Sequence, residues 1–160
     1  MTSKLVGKRR ERAELAVIPP SVSREEAGTG RVGAVAYPYR VYEAEVTIKR
    51  PFMSARTDRF VASVDRSRRL VVRADGVPDA EEMEIEDVLV LPTELSPEQS
   101  RAKARESVLQ WTLRRYSLND TPNIEFVRDV DAYKLFWLVE RPEGDVIVDS
   151  VRGTEDPLAD

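Results

Sequence analysis

A single segment of this chain has the three- and four-residue spacing of a helix, while most of the apolar residues from Tyr37 onward alternate with a period of two. The helix start is written in Ser96-Pro97-Glu98-Gln99. Ser is a good N-cap, Pro suits the first helical position, and Gln three residues after the cap can bond back to the cap amide. Ala102, Leu109, Thr112, Leu113 and Tyr116 then fall on one broad face, with Ala104, Val108 and Trp111 beside it. Arg101, Lys103, Arg105, Arg114 and Arg115 supply the wet side, and the last two favour the negative helix end. Asn119-Asp120-Thr121-Pro122 closes the segment as a turn.

The alternating runs predict strands. In 41–49, Tyr42, Ala44, Val46 and Ile48 alternate with Glu43, Glu45, Thr47 and Lys49, and Pro51 ends the run. Residues 56–65 and 70–72 follow, joined by a turn at Asp65-Arg66-Ser67-Arg68. Residues 83–91 form a further strand whose alternation slips between Ile85 and Val88, which predicts a bulge or break. Strands at 124–131, 132–140 and 145–151 complete the set, with Arg141-Pro142-Glu143-Gly144 as a hairpin connection. Val64-Asp65-Arg66 and Val139-Glu140-Arg141 give a weak internal likeness at an offset of 75.

These elements predict an α+β domain over residues 34–153, an antiparallel sheet of six to seven strands packed on one long helix, 97–116. Residues 1–33, with Pro19-Pro20 and three glycines, read as a flexible or loosely docked tail in which 14–18 is a candidate docked strand. Residues 154–160 read as a C-terminal tail.

Charge is sorted into blocks. Residues 49–73 carry eight Lys or Arg against two acids, a balance of +6. Residues 75–98 carry nine acids and no base, a balance of −9. Residues 101–115 return to +4 and 119–160 fall to −7. If the first two blocks face each other, the pattern is structural. If they lie apart, the field is offered to a partner.

The chain has no Cys and no His, so thiolate nucleophiles, Cys-ligated metals and any Ser-His-Asp site are excluded. Remaining chemistry would rest on carboxylates, Lys, Tyr or Ser. No apolar run approaches the ~18 residues of a membrane span, and the basic N-terminus leads into an apolar stretch broken by Pro19, so the expected location is the cytoplasm.

Four constellations merit weighing. The Arg-rich hairpin 49–73 offers Arg56, Arg59, Arg66, Arg68, Arg69 and Arg73 to phosphates or to a protein partner, with Tyr39, Tyr42 and Phe52 able to stack. A sequence pI near 5.1 weighs against nucleic acid. The acidic run 79–87 lacks the spacing of a calcium loop. Asp129, Asp131 and Glu140, with Lys134 and Tyr133, form a carboxylate cluster of a kind that any highly charged strand pair produces. Gly28-x-Gly30-x-x-Gly33 follows no strand and opens no helix, so it is not read as a dinucleotide loop.

The reading is a non-enzymatic interaction or accessory module, with no catalytic residue, metal or cofactor assigned. Its expected partner is another protein or a second copy of itself, and no membrane. A nucleic-acid accessory acting through the Arg hairpin is the alternative. A small-ligand binder or carboxylate-based enzyme is the third reading, which a deep pocket would favour.

Overall fold

A computed structural model describes residues 6–117 and 120–158. The order is β1 (Lys8–Val17), α1 (Arg24–Ala27), β2 (Val32–Arg50), β3 (Met53–Asp65), β4 (Leu70–Ala74), β5 (Glu81–Val90), α2 (Pro97–Arg115), β6 (Asn123–Val139), β7 (Val146–Asp149) and β8 (Glu155–Pro157). Strands take 54% of it and helices 15%, which makes the chain mostly β and overturns the α+β expectation. The eight strands follow the order β4-β3-β2-β5-β1-β6-β7-β8, and β2 also pairs with β6. That extra pairing closes β2, β5, β1 and β6 into a four-stranded barrel. Nor is the sheet wholly antiparallel, since β2 runs parallel to β5, and β1 to β6. Parallel neighbours are distant in sequence and have no short connecting turn to announce them.

Contacts divide the chain into two compact units, where the sequence reading draws one domain. The first takes Met1–Pro38, Asp79–Thr93 and Ala132–Asp160. Its backbone frame is the β1–β5 ladder, antiparallel in one register from Lys8 opposite Val90 to Val17 opposite Glu81. Thus 8–17, within the segment read as a tail, is a full strand. Ala13, Leu15 and Val17 point inward with period two and join Ala34, Ala36, Ile85, Val88, Leu135, Trp137, Val139 and Val148 in one core. The slip expected between Ile85 and Val88 is local. Asp87 takes a left-handed φ of 46°, and the ladder continues in the same register on both sides. α1 is a single turn with a second capping box, Ser23 and Glu26, that sequence reading passed over. Gly28 follows it because a Cβ there would stand 2.6 Å from Val139 Cγ1.

The second unit takes Tyr39–Pro78 and Glu94–Asp131. β2, β3 and β4 form an antiparallel meander, from Tyr39 opposite Asp65 to Arg50 opposite Met53, then Val61 opposite Ala74 to Asp65 opposite Leu70. Tyr42, Ala44, Val46 and Ile48 bury the face expected of them, with Phe60, Ala62, Val64, Leu95, Ala104, Val108 and Ile124. α2 packs on β3 and β4 within this unit. It is no roof for the whole sheet, because the first unit's core holds no residue of it.

The capping box at Ser96 forms: Gln99 N–H donates to Ser96 Oγ at 3.1 Å, and Ser96 N–H to Gln99 Oε1 at 2.9 Å. Ser96→Ala removes one of these bonds and should cost about 1 kcal/mol, read as a lowered urea midpoint at unchanged slope. The buried line of α2 differs from the expected stripe. It is Ser100, Ala104, Val108 and Thr112, spaced by four, while Leu113 is 51% exposed. Two of these four are polar, yet each satisfies its hydroxyl within the helix, Ser100 on the Ser96 carbonyl and Thr112 on the Val108 carbonyl. A hydrophobicity count misses a seam chosen for small size.

Candidate interaction surface

The charge blocks resolve into pairs within each unit. In the first, the acids of β5 meet β1. Arg9 lies 3.0 Å from Asp87, and Arg12 lies 3.9 Å from Glu84 and 3.7 Å from Glu86. All are exposed, so each contributes at most about 1 kcal/mol, but together they match a basic strand edge to an acidic one. Three acids of the block, Glu84, Glu86 and Asp87, are therefore answered by Arg9 and Arg12 of the N-terminal basic cluster. Glu94, in the second unit, approaches Arg69 at 3.7 Å.

The six arginines of the hairpin do not form one patch. Arg56 lies over the Tyr116 ring at 5.3 Å and Arg73 over Phe60 at 4.7 Å. Arg59 bridges Glu43 and Glu45 across the strands. Arg66 donates twice to the Leu95 carbonyl, at 3.1 and 2.9 Å, and reaches Asp131 at 3.4 Å. Arg68 is held by the Asp65 carboxylate and by the Tyr39 hydroxyl at 3.2 Å. Of the three stacking candidates, Tyr39 and Tyr42 are buried and Phe52 alone is open.

The carboxylate cluster is likewise internally engaged. Arg40 clamps Asp129 at 3.2 Å and Asp131 at 2.9 Å. Glu140 sits 3.9 Å from Arg31, and Lys134 2.9 Å from Asp149. Among the described residues no group of three acids converges as a metal site would require, and no helix is long and apolar enough to cross a membrane. An open depression lies beside the β2–β3 tip, lined by Ile48, Lys49, Arg50, Pro51, Tyr116, Ser117 and Asp120.

Among the described residues of the second unit, two exposed apolar features involve neighbouring positions, while Leu113 and Val127 are exposed singly. At the β2–β3 tip, Phe52 is fully exposed and Met53 is 62% exposed. Pro51 and Phe52 are the turn residues between paired Arg50 and Met53, and Phe52 has a φ of 60°. Pro followed by a left-handed residue is a type II arrangement, whose second central position favours Gly or Asn. A bulky residue there is strained by about 1 kcal/mol or more. The Arg50 guanidinium holds the turn by donating from Nε and Nη2 to the Ser54 carbonyl, at 3.0 and 2.9 Å. The other feature is β4, where Leu70 is 53% and Val72 54% exposed. Leu70 and Val72 stem from positions read as ordinary strand, whereas Phe52 was among the stacking candidates. The signal for the tip was present, as an aromatic directly after a turn proline.

In comparisons with protein-family models, curated proteins and solved structures, nothing matches this chain.

Proposed function

We propose that this protein is a non-enzymatic interaction module that presents the Pro51-Phe52-Met53 tip to a pocket on a protein partner. One observation carries the reading. A phenylalanine stands in a backbone conformation that costs it energy, and its ring touches none of the core that would repay that cost. Aromatic and Met side chains, flanked by a cation such as Lys49, are the residue types that anchor protein interfaces. The Arg hairpin favours this over a phosphate backbone, since its arginines are engaged by carboxylates, carbonyls and rings of the same unit.

The test is Phe52→Asn. The folded protein should gain up to about 1 kcal/mol, read as a higher melting temperature, because Asn accepts a left-handed φ and no burial is lost. The same variant should fail to retain, from a lysate of the source organism, a protein that the parent retains. Identical captures by the two would remove the support for the tip.

A further inference from the structure

We infer that β4 is the seam of a symmetric dimer in which two copies of this strand pair antiparallel about Val72. β4 ends the strand order, and among the described residues no strand pairs with its outer edge. It contains no Pro, and its one charged side chain, Arg73, lies over the Phe60 ring. Leu70, Val72 and Ala74 share one of its faces by alternation, and the first two lie exposed.

A two-fold axis normal to the sheet keeps each face on its own side. Opposed residues must therefore be an even number apart in the sequence, which leaves few registers. Centring on Val72 sets Val72 against Val72 and Leu70 against Ala74 of the second copy. The exposed apolar pair is then covered by its own image. The same register brings Arg69, the turn residue just before β4, near Asp75, just after it, of the second copy at both ends. Asp75 and Arg69 are exposed, and Arg69 is otherwise engaged by Glu94 at a long 3.7 Å. Centring one residue earlier opposes Arg69 and Arg73, and one later opposes Arg73 and itself. Like charges directly opposite are unfavourable, so charge selects the Val72 register from its neighbours. A second copy of this chain is thus the occupant that the edge fits. The contact is small, so association should be weak and concentration-dependent. It draws on residues apart from the Phe52 tip and stands whether or not that tip binds.

Light scattering across a concentration series tests it. The parent mass should rise from 18.2 kDa toward twice that value. Asp75→Arg should weaken association roughly tenfold or more, by placing Arg against Arg at both ends. Adding Arg69→Asp to it should restore the dimer, since the opposed charges again differ in sign. Circular dichroism checks that each variant is folded. A mass of 18.2 kDa at every concentration overturns the proposal, as does a dimer indifferent to Asp75→Arg, or a double variant no better than the single one.

Discussion

Asp65→Ala should destabilise the protein by about 3 kcal/mol, with the β3–β4 hairpin loosening first. Asp65 is 2% exposed. Its Oδ1 accepts the Ser67 amide at 3.0 Å and the Arg68 amide at 2.9 Å, while its Oδ2 accepts Arg68 Nε at 2.5 Å. Its carbonyl takes the Arg69 amide at 2.9 Å, and Arg69 closes the turn at a φ of 62°. One carboxylate thus satisfies two loop amides and a guanidinium, and alanine strands all three. Burial first, then the Asp65 charge, also push the Tyr39 hydroxyl up out of its ordinary range, so it stays a neutral partner for Arg68. Asp65→Asn keeps an acceptor for the amides and loses the charge, and should recover about half the loss. Urea denaturation gives the size of the effect. Amide exchange at Ser67 and Arg68 gives its place, and an unchanged exchange rate there in the alanine variant would contradict the argument.

What the sequence made legible was local. Ser96 to Gln99 announced α2 because a capping box closes within four residues. Val41 to Lys49 and the turn at Asp65 announced two strands and a hairpin because their partners lie a few residues away. β1 was hidden because only Ala13, Leu15 and Val17 of its ten residues are buried apolar side chains, while its charged half is explained by acids more than 70 positions later, as in the Arg9–Asp87 pair. The closed four-stranded ring was hidden for the same reason, since pairings between segments distant in sequence leave no local mark. The charge blocks illustrate the limit. Their segregation is plain in the sequence, yet the choice of partner is made by strand order, which sets the acids of β5 beside β1 of the N-terminal cluster, while Glu94 approaches Arg69 of the basic hairpin. The candidate site fared similarly. The hairpin was visible, but not that its six arginines would be engaged nearby, nor that Phe52 would be the side chain left open.

The likeness at an offset of 75 joins the β3–β4 and β6–β7 hairpins, but the turn that matches Asp65 lies elsewhere, at Asp149. There Oδ1 accepts the Val151 amide at 2.8 Å and the Arg152 amide at 3.1 Å, the carbonyl accepts the Gly153 amide at 2.7 Å, and Gly153 takes the left-handed place with a φ of 74°. Each unit therefore has one buried aspartate closing one turn, here between β7 and β8. Asp149 differs in its counter-ion, the Lys134 ammonium at 2.9 Å, which comes from β6 and ties the turn to the core strand. Burial pushes the Asp149 carboxyl up, but the Lys134 bond, the two amides and the Lys134 charge outweigh it and hold the group below its ordinary 3.8. A carboxyl depressed in the folded state stabilises it above the unfolded value and loses that contribution as pH falls through the folded value. Asp149→Ala should therefore cost about 3 kcal/mol near neutral pH, and the gap to the parent should narrow below about pH 4 as the parent's carboxyl takes up its proton. Asp149→Asn, which keeps the turn acceptor, should lose less and show the same narrowing. Denaturation of all three proteins at neutral pH and at a pH well below 4 decides the matter. A gap between parent and alanine variant that stays constant with pH would mean that the folded state gains nothing from the charge on Asp149, and would contradict both the Lys134 pair and the charged turn acceptor.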